Sequence, residues 1–194
     1  MRPTTSVTNV VVGRGFDGYE RELRSLLSGE PSSVRAYARS LPPADRDEFE
    51  KLIDEPFLVV RGAGSLGLDL VALRREFALP IEVKASAAPV IRFTAAGGRA
   101  NAQLANHRRL AARAGLMVLY AYRRLGLRGQ ESWRVFSAGN PPSRGVMGAA
   151  CRSLPLVEAT REGNGILRWD GGMPLSSFLG RLRFLTSRPE PQGG

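Results

Sequence analysis

Apolar residues recur along this chain with two distinct periods, and the change between them marks its elements. Phe16, Tyr19, Leu23, Leu26 and Leu27 have the spacing of one helix face. Asp17 is a candidate N-cap and Gly29 a stop. Residues 30–55 read as a helical insertion broken at Pro42-Pro43. The period then shortens. "FLVVR" (57–61) is a strand, and "LDLVAL" (68–73) can be drawn as strand or helix. In the strand drawing it forms a hairpin with "PIEVKAS" (80–86), joined by "RREFALP". "GGRANAQLANHRRLAARAG" (97–115) reads as a helix, followed by strands "LMVLYAYRR" (116–124) and "SWRVFS" (132–137). Residues 138–146 read as a linker, and the tail as a turn followed by a short terminal helix. An N-terminal arm carries a short candidate strand, "VTNVVV" (7–12).

Composition narrows the chemistry. A chain of 194 residues, 43% apolar, can bury one substantial core. The single cysteine, Cys151, excludes an internal disulfide and a cysteine zinc cluster. The single histidine, His107, argues against Ser-His and Cys-His catalysis. No apolar run approaches membrane-spanning length and no signal peptide is evident, so a cytoplasmic protein without a membrane partner is expected. The net charge of +10 is uneven: residues 30–55 carry seven acids against four bases, and residues 85–194 sixteen arginines against five acids. A basic C-terminal half suggests a polyanionic partner, although an arginine-rich codon bias would produce the same excess. Of 28 basic residues only Lys51 and Lys84 are lysine. Against that bias, a lysine at position 84 suggests a need for a compact point charge with a movable proton.

The stretch "VVRGAGSLGLDLVALRREFALPIEVKAS" admits two readings. Gly62, Gly64 and Gly67 spell G-x-G-x-x-G after a strand, with Glu82 twenty residues on, the spacing of a dinucleotide-binding unit. That unit normally opens a large domain, whereas 56 residues precede this strand, and Glu82 lies inside a strand ahead of Lys84. No nucleotide cofactor is therefore expected. In the hairpin reading, side-chain alternation puts Glu82 and Lys84 on one face and Ile81 and Val83 on the other. Asp69 can then lie beside Glu82, and two carboxylates with a lysine suit an oxygen-loving cation such as Mg²⁺. Glu20 falls inside the apolar stripe of the first helix and needs a partner, either a base or a metal; an edge position on that stripe is the alternative.

This set, taken in order, resembles the PD-(D/E)xK nuclease superfamily, and more closely the archaeal Holliday junction resolvases. The resemblance runs through "GRGFDGYERELRSLL", "VVRGAGS", "LDLVAL", "IEVKAS" and the glutamine of "ANAQLANHRRLAARAG". It implies an α/β, restriction-endonuclease-like core with a central mixed sheet flanked by helices. That nuclease core would span residues 1–137, with the 30–55 helical insertion, and residues 138–194 would be a linker and C-terminal extension packing on it. Glu20, Asp69 and Glu82 would bind Mg²⁺, with Mn²⁺ able to substitute, and Lys84 would be the catalytic lysine. Arg61 and Ser65 would contact backbone near the scissile phosphate, with Gln103 at the edge of the site. Arg14, Arg92, Arg99, Arg108 and Arg109 are further candidate phosphate contacts. The expected activity is symmetric nicking of four-way DNA junctions by a homodimer, with exposed apolar residues of the tail as one candidate for its interface. Leu68-Asp69 stands where the family has Pro-Asp.

Overall fold

The computed structural model describes residues 17–62, 67–93, 99–139 and 144–187. The arm with its candidate strand, Arg14 and Ser65 lie outside the described residues. Three helices come first: α1 (Asp17–Leu27), α2 (Pro31–Ala38) and α3 (Pro43–Asp54). Asp17 is itself helical, so it does not stand in the N-cap position. Pro31 and Pro43 each occupy a first helical turn, where the missing N–H costs no bond.

The sheet begins with β1 (Leu58–Arg61), β2 (Leu70–Arg74) and β3 (Phe77–Ser86), which pair antiparallel in sequence. "LDLVAL" thus resolves as strand. The hairpin turn is only Arg75-Glu76, and most of the expected "RREFALP" connection is strand, because Phe77, Leu79, Ile81 and Val83 alternate inward without a break. Pro80 is accommodated because the neighbouring strand on that side joins β3 only from Ile81 onward. After β4 (Val90–Arg92) and α4 (Arg99–Ala114), strand β5 (Leu119–Arg124) lies parallel to β3, and β6 (Trp133–Ser137) antiparallel to β5.

The C-terminal region is richer than a turn and a helix. Part of the expected linker is α5 (Gly145–Arg152), followed by β7 (Glu158–Ala159), β8 (Gly165–Arg168), β9 (Met173–Pro174) and α6 (Leu175–Thr186). Strands β4, β8 and β7 form a second, three-stranded sheet, while β9 closes the main sheet, whose order is β1-β2-β3-β5-β6-β9. A central mixed sheet flanked by helices is thus the observed architecture.

The two faces of that sheet are covered differently. On one, helices α1, α2, α3 and α6 bury Leu70, Ala72, Leu79, Ile81, Val83, Leu119 and Val135 in the larger core. On the other, α4 and the small sheet pack on Tyr120, Tyr122 and Phe136 through Leu104, Phe93, Leu167 and Trp169. That second cover ends near β3. The tail's apolar residues Leu175, Phe178, Leu179 and Leu182 are core, not surface. These four are therefore unavailable as an interface, whereas Leu156 and Phe184 of the same region are exposed.

Candidate active site: a buried acid–lysine cluster at the edge of the second cover

Asp69 stands where β2 begins. Its carboxylate Oδ2 accepts the Val83 N–H at 2.6 Å, in place of the ladder partner that β2 does not extend far enough to supply. The Asp69 carbonyl accepts the Gly62 N–H at 2.7 Å and its own N–H donates to Ile81 O at 3.0 Å. Both strands therefore fix this acid. Burial raises its pKa, with the Glu20 charge adding to the rise, while the Val83 N–H and the Lys84 charge oppose it.

Glu82 is 3% exposed. Its Oε1 accepts from Lys84 Nζ at 2.5 Å, whereas Oε2 has no hydrogen-bond partner among the described residues. Burial pushes its pKa up to about 7; Lys84 pulls it down, the Asp69 charge raises it further, and the nearby Gln103 amide lowers it. A buried oxygen without a donor is uncommon in folded proteins and needs an explanation. Behind Glu82, its cross-strand neighbour Tyr120 is buried with its hydroxyl 2.9 Å from His107 Nδ1. Burial raises the Tyr120 pKa, and the Glu82 charge adds to it. An aromatic wall thus keeps water from the inner side of the cluster.

Glu20 projects from α1 toward β1, close enough for its charge to raise the Asp69 pKa. Its carboxylate is gripped by Arg61 at 2.7 and 3.3 Å. Of the two partners its inward position calls for, the base is the one present. Arg21 and Arg24 line, together with Glu20 and Arg61, a cavity of about 110 Å³. Neither Arg21 nor Arg24 stood out in the sequence; for Arg24 the four-residue offset from Glu20 was the available signal, and for Arg21 there was none.

The glycines serve this geometry directly. Gly67 has φ +66°, and a Cβ there would meet Gln103 Nε2 at 3.0 Å. Gln103 donates that amide to Gly67 O at 2.5 Å, fastening α4 to the loop. A Cβ on Gly62 would come within 2.0 Å of Leu68 O. The loop leads into a strand antiparallel to β1 and not into a helix, so the dinucleotide-binding arrangement does not form.

The remaining arginines divide. Arg92, Arg99 and Arg109 are exposed. Arg108 corrects its assignment as a phosphate contact: Nε donates to Ala138 O at 2.9 Å and Nη2 to Val157 O at 3.0 Å, tying α4 to the C-terminal region.

Among the described residues no three metal-ligating side chains stand gathered. Asp69 and Glu82 nevertheless fit an oxygen-loving cation, since Glu82 Oε2 is a buried acceptor awaiting a positive partner.

No family model and no curated protein matches the chain. Among solved structures it is similar to the Holliday junction resolvase Hjc of Archaeoglobus fulgidus, an archaeal hyperthermophile. The identity is 20%, the match covers 70% of this chain and 92% of that one, and the TM-score is 0.45. Among the described residues no helix is long and apolar enough to cross a membrane.

Proposed function

We propose that this chain is a Mg²⁺-dependent endonuclease of the PD-(D/E)xK type that nicks four-way DNA junctions symmetrically, leaving 5′-phosphate ends. The observation that carries the reading is the orphaned Glu82 oxygen, buried beside Asp69 and pinned from the other side by Lys84. A structural ion pair would satisfy both oxygens; this one leaves an oxygen for a cation.

Asp69 and Glu82 would hold Mg²⁺, or Mn²⁺ in its place, with Glu20 completing the set. Bound there, the ion supplies a Lewis acid that neutralises phosphate charge and acidifies a coordinated water. Lys84 keeps Glu82 ionised in a buried setting, and its remaining donors suit the phosphate oxygen on which charge develops. Arg21, Arg24 and Arg61 around their cavity, with exposed Arg99 and Arg109 on α4, would hold flanking phosphates and read shape, not sequence. Once phosphate oxygens compete for Arg61, Glu20 is released toward the cluster. The phosphodiester loses its 3′ oxygen as leaving group to an attacking water. A four-way junction has two-fold symmetry, so symmetric nicking calls for a homodimer.

The test compares a synthetic four-way junction with linear duplex and a flap under Mg²⁺. Paired nicks at symmetric positions in the junction, with the other two spared, are the expected result. Equal cutting of all three would replace the junction by DNA in general, and no cutting of any would end the nuclease reading.

A further inference from the structure

A second pair of acids meets away from the candidate site, where the first turns of α3 and α6 come together. Asp45 lies in the first turn of α3 and Ser176 in that of α6, with Glu131 between them just ahead of β6. Glu131 is 4% exposed and Ser176 1%. Ser176 Oγ stands 2.6 Å from Glu131 Oε2 and 3.0 Å from Asp45 Oδ1, and the Ser176 N–H donates to Glu131 Oε1 at 3.0 Å. None of the ion pairs among the described residues includes either acid.

A hydroxyl has one proton and can donate it once. Both contacts of Ser176 Oγ are therefore hydrogen bonds only when one of the two acids keeps a proton and donates it to the hydroxyl oxygen. Glu131 is the more deeply buried of the two, and burial favours the neutral form, so the proton is placed there. With Glu131 protonated, Oε2 donates to Ser176 Oγ and the hydroxyl turns to Asp45. With Glu131 ionised, Ser176 donates to Oε2, the acid is a plain cap, and Asp45 faces a lone pair.

We propose that Glu131 is a pH switch for the seam between α3 and α6. Protonated, it passes the Ser176 hydroxyl to Asp45 and closes the near end of the seam; ionised, it withdraws that hydroxyl and opens it. The far end does not depend on this proton, since Arg183 of α6 donates to the Glu48 carbonyl at 2.9 Å and to the Glu48 carboxylate. The response is thus a local opening at the start of α3, with the rest of the fold intact. It stands apart from the nuclease reading and uses none of its residues.

The groups that act on Glu131 come from three neighbouring elements. Burial raises its pKa; the Ser176 hydrogen bonds and the Arg134 charge from β6 oppose the rise, and the Asp45 charge from α3 adds to it. Arg134 does not pair with that carboxylate: its guanidinium lies over the Trp169 ring, 3.9 Å from the centroid, and donates to the Glu131 carbonyl at 3.3 Å. Tyr37 of α2 stays neutral, because burial lifts its pKa to about 12. A pKa raised on folding stabilises the folded state fully below the ordinary 4.5, and that stabilisation is lost as pH climbs through the raised value. The seam therefore closes toward acid and opens toward alkali.

Carbon-13 NMR of the side-chain carboxyls of the full chain, from about pH 4 to 9, reads the switch directly. Glu131 should titrate above the ordinary 4.5, and Asp45→Asn should bring its midpoint down. Hydrogen exchange is the second readout. After correction for intrinsic rates, the α3 amides from Arg46 to Phe49 should open at least about tenfold more at pH 8 than at pH 5. That difference should vanish in Asp45→Asn, and equally in Glu131→Gln, whose amide supplies the donor at every pH. A Glu131 midpoint at or below 4.5 in wild type overturns the proposal. So does α3 exchange that is the same at both pH values, or that keeps its pH dependence in Asp45→Asn. If the variants unfold, the wild-type titration and exchange decide alone.

Discussion

Two buried carboxylates, Glu82 in β3 and Glu131 just ahead of β6, are almost equally hidden, and burial raises the pKa of both. Their surroundings differ. Glu131 Oε1 accepts the Ser176 N–H at 3.0 Å and Oε2 the Ser176 hydroxyl at 2.6 Å, so it caps the first turn of α6 with both oxygens used. Glu82 has one oxygen on Lys84 and the other without a hydrogen-bond partner among the described residues. The fold thus gives both oxygens of one buried acid a hydrogen-bond donor and only one oxygen of the other. The capping acid holds the molecule together. The strand acid is held by the molecule.

That contrast can be broken by substitution. The largest effect expected is on activity: Asp69→Asn and Glu82→Gln should each lower Mg²⁺-dependent junction nicking by more than about a thousandfold, a loss of over about 4 kcal/mol in the barrier. Lys84→Met should also abolish nicking, and should destabilise the fold at pH 8 by about 3 kcal/mol because it strands a buried carboxylate. At pH 5, where Glu82 takes up a proton, that loss should largely vanish. Urea unfolding at the two pH values reads the difference.

Stability against pH sharpens the comparison. The Glu82 pKa rises on folding from the ordinary 4.5 to about 7, so the folded state holds that proton more tightly than the unfolded chain. Its contribution to stability is full below about 4.5 and is lost as pH rises through about 7. Between pH 5 and 8 wild type should lose on the order of 2–3 kcal/mol. Glu82→Gln should flatten most of that slope, leaving a remainder from Asp69 and Glu131, whose pKa values are raised in the same direction. Glu131→Ala should do the reverse of Glu82→Gln. It should cost about 2 kcal/mol and several degrees of melting temperature, with nicking per folded molecule retained. The smallest effect belongs to single phosphate contacts: Arg21→Ala or Arg109→Ala should weaken junction binding a few fold and reduce its salt dependence by about one counterion.

Much of the fold was legible because long elements repeat their period. The alternation through Phe77, Leu79, Ile81 and Val83 makes β3, and the prolines at 42 and 43 break the insertion where α2 gives way to α3. Strands β7 and β9 are two residues each, too short for any period to show, so the second sheet and the closing edge were invisible. At the site, alternation put Glu82 and Lys84 on one face, and Lys84 Nζ lies on Glu82. Partner choice was not legible. Arg108 and Arg109 are adjacent and identical in charge, yet a rotation of one helical position sends one to two backbone carbonyls and the other to solvent. In the same way the sequence left Glu20 needing a base or a metal, and only tertiary geometry brings Arg61 to it from β1.

The central claim is that Glu82 is a carboxylate kept incomplete for a cation. Its most direct test is junction nicking across a Mg²⁺ titration at pH 8 by wild type and Glu82→Gln, with melting temperatures measured on the same samples. Symmetric Mg²⁺-dependent nicks by wild type, and a variant that is inactive yet melts at the same temperature or higher, are the predicted result. A Glu82→Gln protein that nicks as well as wild type, or that loses activity only because it unfolds, would contradict the account.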